Sequence, residues 1–251
     1  MIKFFRKIRQ QLLLQNRFRK YILYAIGEIV LVMIGILLAL QVNNWNQSRQ
    51  DKKFETTMLH EIKGSLESDL FSERVLKNFI NTKQKGIQEL LKMTTSNQIY
   101  PDSMLLKVYN DMTFHLSISY NKGGYEAIKS VGIDKISNDS LRKMLIETYE
   151  VLLPRAERLI ESRIEDDLGS QEYKLRLHNA LWKRIRIQMP DNSYKLVSQP
   201  IDSENFLKKD ELLDRIKIEQ DIVNVYNFWM QHFRRSVENC LEAVNKELEN
   251  D

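Results

Sequence analysis

The sequence predicts an all-α protein in which an N-terminal transmembrane helix continues into an elongated antiparallel helical bundle. Three observations predict this fold class. An apolar run of 22 residues, Tyr21–Val42, is long enough to span a bilayer. Only 8 Gly and 4 Pro occur in 251 residues, which favours long helices over many short strands and turns. Beyond the apolar run, hydrophobic residues recur at spacings of three and four, as they do in amphipathic helices.

The apolar run has the length and the flanks of a membrane anchor. As a helix it would extend about 33 Å, close to the hydrocarbon thickness of about 30 Å. Aromatic residues mark its ends, with Phe18, Tyr21 and Tyr24 on one side and Trp45 on the other, as in interfacial belts. The run is longer than the apolar region of a cleaved signal peptide, so we expect an uncleaved signal anchor.

A basic arm precedes the anchor and predicts its orientation. No acidic residue occurs before Glu28. The bases of the first twenty positions are Lys3, Arg6, Lys7, Arg9, Arg17, Arg19 and Lys20. Because basic flanks stay in the cytoplasm, the N-terminus should be cytoplasmic and the rest of the chain periplasmic, at a bacterial inner membrane. The predicted domains are therefore the arm at 1–20, the transmembrane helix at 21–42 and a periplasmic helical domain at 43–251.

The overall charge of +4 comes from this arm. Without its seven bases the chain has 31 basic and 34 acidic residues. A nucleic-acid-binding protein should also have a basic face on its folded domain, so we expect no nucleic-acid partner. On a helical wheel, Met1, Phe4 and Ile8 lie opposite Lys3 and Lys7. This pattern predicts a helix lying flat on the lipid surface, although the bases could also act only as retention charges in an arm without fixed structure.

Glu28 is an acid inside the apolar run, where an ionised group is costly. At 100° per residue, the residues Tyr24, Glu28, Gly35 and Ala39 share one stripe of the helix, about 60° wide. Gly35 and Ala39 form a pair of small residues that allows a second helix to approach closely. We expect this stripe to contact a partner, either a second copy of the chain or another membrane protein.

Two other roles for Glu28 remain open at this level. Intramembrane acids often belong to proton or ion pathways. Glu28 is also only the eighth residue of the run, so its side chain could reach headgroups or water.

The region after the anchor predicts a series of helices. The first should continue to about Lys92, weakened but not ended by Gly64 and Gly86. A break at Pro101 follows, with Asp102 as the cap of a short helix near Ser103–Met112.

A turn-rich centre then contains another short helix, for which the glycines of "NKGGYEAIKSVG" should permit positive φ at a turn and Gly132 should be the end. Asn138 or Asp139 caps the next helix, which Pro154 kinks and which runs on to about Ile187. After a loop with Pro190 and Pro200, a final helix should run from Lys208 to about Asn250.

Catalytic and metal-binding motifs are missing from the sequence. The four histidines are not spaced as zinc ligands, and the single cysteine, Cys240, fits a buried apolar position. We therefore predict no catalytic residues, no metal and no cofactor. One candidate pocket is an aromatic patch formed by Tyr226, Trp229, His232 and Phe233. Their helical spacing favours a core position instead.

Several segments together resemble an uncharacterised protein family of Bacteroidota, a domain of unknown function. The resemblance is specific over "MIKFFRKIRQ" and "FRKYILYAIGEIVLVMIGILLALQVNNWN", and it extends to "GGYEAIKSVG" and "SNDSLRKMLIETYE". It implies an inner-membrane anchor. It implies no activity, cofactor or catalytic residue.

The function that these observations predict is a non-enzymatic scaffold or accessory subunit in the membrane. Its partners would be the lipid bilayer and a second copy or another membrane protein. The alternative is a periplasmic ligand sensor that relays through a partner protein, since an arm of about 20 residues is too short to fold as an output domain.

Overall fold

The computed structural model describes residues 18–162 and 171–250, and it confirms the predicted all-α fold class. In these ranges the helices are α1 (Phe18–Thr94), α2 (Asp102–Thr113), α3 (Gly123–Val131), α4 (Asp139–Glu147), α5 (Leu153–Ser162), α6 (Gln171–Leu181) and α7 (Asp210–Glu249). A π-helical turn, Thr148–Leu152, connects α4 to α5, and short 3-10 turns lie at Ile133–Lys135 and Phe206–Lys208. The strands β1 (Trp182–Gln188) and β2 (Tyr194–Pro200) form an antiparallel hairpin.

The first of two compact units ends at Glu55, and in its described part the apolar side chains of α1 are exposed. Leu23 is 72% exposed and Leu31 is 68% exposed. By length and composition, one helix of the described residues, Ala25–Thr94, could cross a membrane. Because so much apolar surface is unfavourable in water, this segment is compatible with a membrane anchor.

The second unit begins at Thr56 and contains the hydrophobic core. α1 contributes buried residues at helical spacing, namely Leu59, Ile62, Leu66, Ile80, Ile87 and Leu90. α7 contributes a second stripe, namely Leu212, Ile216, Ile222, Val223, Tyr226, Met230, Phe233, Val237, Cys240 and Val244. Ion pairs join Lys83 to Glu219 and Glu73 to Arg234, so α7 runs antiparallel to this part of α1.

A close approach of two backbones explains one of the two glycines at the start of α3. A Cβ on Gly124 would lie 2.7 Å from the backbone nitrogen of Ile62 on α1. The predicted positive φ is wrong for Gly123 and Gly124, because among the described glycines only Gly132 has one, with φ 130°. Gly132 ends α3, as predicted, and Gly124 is needed for space rather than for its backbone angle.

The chain around Pro154 continues as a helix, as predicted, but with a change of hydrogen-bond pattern. The π-helical turn Thr148–Leu152 comes directly before α5, and Pro154 is the second residue of α5. Proline has no backbone N–H and its ring crowds the preceding turn, so a wider turn at this place relieves the crowding. At the start of α4, Asn138 is the cap, since its side chain accepts hydrogen bonds from the backbone N–H groups of Ser140 and Leu141.

The prediction that the helix after Pro154 runs to about Ile187 is wrong. α6 ends at Leu181, and β1 begins at Trp182 and pairs with β2. Strand β1 reads "WKRIRIQ", with isoleucines two residues apart, and Ile185 faces Val197 across the hairpin. β-Branched residues favour this extended pairing once a second strand is available, which helical spacing alone does not reveal.

Asp69 is a buried acid on α1, with 4% of its surface exposed. Its Oδ1 accepts a hydrogen bond of 2.9 Å from the backbone N–H of Asn121. Its Oδ2 is buried without a hydrogen-bond partner among the described residues. Burial raises the pKa of Asp69 to about 6, although the Asn121 hydrogen bond acts in the opposite direction.

The close contact at Gly124 gives a prediction for stability. The Gly124→Ala substitution forces the α3 and α1 backbones apart, so it should lower the free energy of unfolding by about 1–3 kcal/mol. On α1, Gly64 has open space around its Cβ position, so Gly64→Ala is the matched control and should raise stability by about 0.5–1 kcal/mol. Urea unfolding of the full chain in detergent measures both changes, and equal effects would contradict the close approach.

The raised pKa of Asp69 predicts a pH-dependent stability. The folded protein holds this proton more tightly than the unfolded chain, so wild-type stability should fall as the pH rises from about 4 to 6 and then level off. Asp69→Asn keeps an acceptor for Asn121 and removes the charge. It should therefore stabilise the protein above pH 6 by at most about 3 kcal/mol and have little effect near pH 4.

Thermal unfolding at several pH values measures this difference. The exposed Glu67 lies on the same helix, and Glu67→Gln should leave the profile unchanged. A stabilisation by Asp69→Asn that is the same at pH 4 and pH 7 would contradict a buried, titrating Asp69.

Candidate functional site

The residues predicted for the membrane contacts belong to the first unit. Two bases of the arm, Arg19 and Lys20, are residues of α1. The other five lie outside the described residues, namely Lys3, Arg6, Lys7, Arg9 and Arg17. Tyr24 also belongs to α1. Glu28 is half-buried, and Gly35 and Ala39 are exposed.

The aromatic patch on α7 divides between the core and the surface. Tyr226 and Phe233 are buried, Trp229 is half-buried and His232 is exposed. The ring of Phe228 packs against Trp229 and His232, with centroid distances of 5.1 and 4.7 Å. Of the four predicted pocket residues, only Tyr226 lines the cavity described below.

A buried ion network is the most polar feature of the second unit. Lys83 of α1 and Glu219 of α7 form an ion pair in which each side chain is 2% exposed. Arg215, one turn before Glu219 on α7, makes a second pair with it, from Nη2 to Oε1 at 2.6 Å. One carboxylate thus serves two cations in a place where charge is costly.

Lys83 has a full set of acceptors. Besides Glu219, its Nζ donates to the backbone oxygen of Met112 at 2.5 Å and to that of Phe114 at 3.2 Å. An ammonium group has three N–H donors, so these three partners use all of them. Burial lowers the pKa of Lys83, and the charge of Glu219 opposes this shift. Lys83 therefore joins α1 to the end of α2 and to α7.

Arg215 has unused hydrogen-bonding capacity. Its Nη1 donates to the backbone oxygen of Lys174 on α6 at 3.1 Å. Its Nε is buried and has no hydrogen-bond partner among residues 18–162 and 171–250. The side chain is 9% exposed, so this donor is withheld from bulk water.

A cavity of about 310 Å³ lies beside this network. Its lining includes Lys83, Arg215 and Glu219, and α2 and α6 contribute Tyr109, Lys174 and His178. Aromatic and aliphatic side chains complete the wall, among them Phe114, Leu175, Ile222 and Tyr226. The Tyr226 hydroxyl donates to the backbone oxygen of Leu116 at 2.6 Å, which fixes its ring at the cavity wall.

Tyr109 stands between the cavity and the aromatic core. Its ring is 5.2 Å from that of Trp182 and 5.8 Å from that of His178. Its hydroxyl is buried without a hydrogen-bond partner in the described part of the chain, and burial raises its pKa to about 12. The pKa of His178 is lowered by burial and by the nearby charges of Arg215 and Arg184, so its ring is neutral at neutral pH.

The ion network was not predicted from the sequence, although a signal for it is present. Lys83 falls between Ile80 and Ile87 on the buried stripe of α1, and Glu219 falls between Ile216 and Ile222 on α7. Charged residues at core-facing helical positions are rarely buried unless they are paired. Their core-facing spacing is therefore the signal that could have indicated buried, paired charges.

Other candidate reactive groups give no second site. Cys240 is buried, and burial raises the pKa of its thiol to about 11, which suits an unreactive core residue. Within the described ranges, no group of three or more His, Cys, Asp or Glu side chains could hold a metal ion.

Comparison with known proteins gives a family but no function. No curated protein and no solved structure matches the chain. A family model described as a family of unknown function, DUF6090, matches residues 28–168. This match includes part of the apolar segment, Lys83 and Tyr109, and it ends before Arg215 and Glu219 on α7. Since it covers more than half of the chain, the protein belongs to the family of unknown function DUF6090.

Proposed function

We propose that this protein is a single-pass, membrane-anchored helical scaffold or accessory subunit of a bacterial inner membrane. Its N-terminus lies in the cytoplasm and its folded domain lies in the periplasm. It performs no catalysis of its own and assembles through the transmembrane helix with a second copy or with another membrane protein. The observation that carries this proposal is that α1 has an exposed apolar segment in the first unit, while the second unit has its own buried core.

The charge distribution supports the orientation. All seven bases of the first twenty residues precede the apolar segment, and the other flank, "NNWNQSRQDKKFE", has mixed charge. The positive-inside rule then leaves the second unit on the periplasmic side. Gly35 supports the assembly because no atom of the described residues lies within 4 Å of its Cβ position, which leaves the helix surface open for a second helix.

A second candidate function is a periplasmic ligand sensor that relays through a partner protein. The cavity of about 310 Å³ beside the ion network favours it, because the cavity is of ligand size and combines apolar walls with a few polar groups. The aromatic patch of the sequence analysis is not its centre. Tyr226 is the residue that the two have in common.

The orientation is tested by reporter fusions after Asp251. Alkaline phosphatase, which folds only in an oxidising compartment, should be active there, and a green fluorescent protein that matures only in the cytoplasm should stay dark. Replacing the arm bases Arg17, Arg19 and Lys20 by Gln should weaken this bias. Fluorescence with inactive phosphatase would overturn the periplasmic assignment.

The assembly is tested by photo-crosslinking inside the membrane. A photoreactive side chain at position 35 lies on the stripe of Glu28 and Ala39 and should attach to a protein partner. The same group at position 37 lies on the opposite side of the helix and should label lipid instead. Mass spectrometry of the products separates a second copy from a different protein, and lipid labelling at both positions would contradict the assembly.

The Glu28→Leu substitution adds an independent measurement. It should reduce the yield of the crosslinked partner at position 35, because the polar group on the shared stripe is lost. Ile29→Leu, on another face, is the matched control and should leave the yield unchanged.

A further inference from the structure

We propose that the cavity beside Lys83, Arg215 and Glu219 binds a small organic monocarboxylate, held by Arg215 and the Tyr109 hydroxyl. This inference rests on the second candidate function and names its ligand class. It does not depend on the membrane topology or on the transmembrane contact.

The ion network has an excess of positive charge. Lys83 and Arg215 are two buried cations, and Glu219 is the one carboxylate that pairs with both. Among the described side chains that line the cavity, Glu219 is also the only acid. Buried charge is stabilised when it is balanced, so a ligand with a single negative charge compensates the excess of the network.

Two hydrogen-bond donors at the cavity are unsatisfied within the described residues. The Tyr109 hydroxyl and Arg215 Nε are both buried, and neither has a hydrogen-bond partner in the described residues. Both side chains line the cavity. Because these atoms are shielded from bulk water, an acceptor for them has to be held inside the protein. A carboxylate has two oxygens that each accept hydrogen bonds from such donors.

Two polar side chains of the cavity wall, Lys83 and Tyr226, already use their hydrogen-bond donors within the protein. Lys83 uses its three donors on Glu219 and on the oxygens of Met112 and Phe114, so it has none left for a ligand. Tyr226 likewise gives its hydroxyl proton to Leu116. The recognition therefore falls to Arg215 and Tyr109, which come from α7 and α2.

The walls of the cavity define the rest of the ligand. Phe114, Leu175 and Ile222 present aromatic and aliphatic surface, and the ring of Tyr226 is held in place. Apolar walls around a few polar groups favour a ligand with an apolar body and one charged end. A multiply charged ion such as phosphate would place a second, unpaired charge in contact with these apolar walls, which is unfavourable.

Calorimetric titration of the full chain in detergent, in a chloride buffer without carboxylates, tests the proposal. The probes are butyrate, benzoate and phenylacetate, with benzamide as the neutral analogue of benzoate and inorganic phosphate as the competing anion. We expect saturable binding of at least one carboxylate and none of benzamide. Tighter binding of phosphate than of all three carboxylates, or no saturable binding of any carboxylate, would overturn the proposal.

Two variants locate the binding in this cavity. Tyr109→Phe removes a hydroxyl that has no partner in the described structure, so the fold should keep its stability while the carboxylate affinity falls about tenfold. Arg215→Gln leaves the Lys83 and Glu219 pair balanced and should abolish binding. Arg235→Gln, on an exposed position of the same helix, is the matched control and should bind as the wild type does.

The two variants remain informative together. If Arg215→Gln does not fold, Tyr109→Phe still shows whether the carboxylate binds in this cavity, because it removes only the hydroxyl and leaves the ion network unchanged. Carboxylate binding that is equal in the wild type and in Tyr109→Phe would place the ligand elsewhere and would overturn the assignment. In that case the membrane orientation and the crosslinked partner would still stand on their own measurements.

Discussion

The buried pairing of Lys83 with Glu219 is the interaction on which the second unit depends. Through its three acceptors, Lys83 connects the core face of α1 to the end of α2 and to α7. Arg215 extends the connection to α6 by way of the Lys174 backbone oxygen. Removing Glu219 would leave two buried cations without their shared carboxylate, so the four helices are coupled through a polar cluster as well as through apolar packing.

The same network is a chemically distinctive place in the described part of the chain. An apolar core tolerates many substitutions of one apolar side chain by another, whereas a buried charge needs specific partners. Two cations share Glu219, and a cavity opens beside them with the Tyr109 hydroxyl in its lining. One cluster therefore contains both the structural contacts, which Lys83 makes, and the proposed ligand contact, which Arg215 makes.

The two units follow different physical rules. In the described part of the first unit, apolar side chains point outward, which is favourable only where lipid or another protein replaces water. In the second unit the apolar stripes of α1 and α7 are buried and the charged residues mostly cover the surface. The helix α1 has residues in both units, so the apolar side chains of one continuous helix are exposed in its first part and form a buried stripe in its second part. Membership of DUF6090 adds no function to this contrast, because the family itself has none assigned.

The sequence by itself determined the helical class, the apolar span of α1, the end of α3 at Gly132 and the continuation of the helix beyond Pro154, and it limited the cap of α4 to Asn138 or Asp139. These features depend on periodicity, on local hydrogen bonds and on the backbone limits of single residues, all of which are readable within a few positions. Only the tertiary structure decided that Trp182–Gln188 is a strand, because its partner strand lies across a turn. It also decided that Gly124 is needed for a close backbone contact and that Lys83, Arg215, Glu219 and Tyr109 meet at a cavity. Packing brings together residues that are more than a hundred positions apart in the sequence. Their charges interact strongly only once burial has removed the water between them.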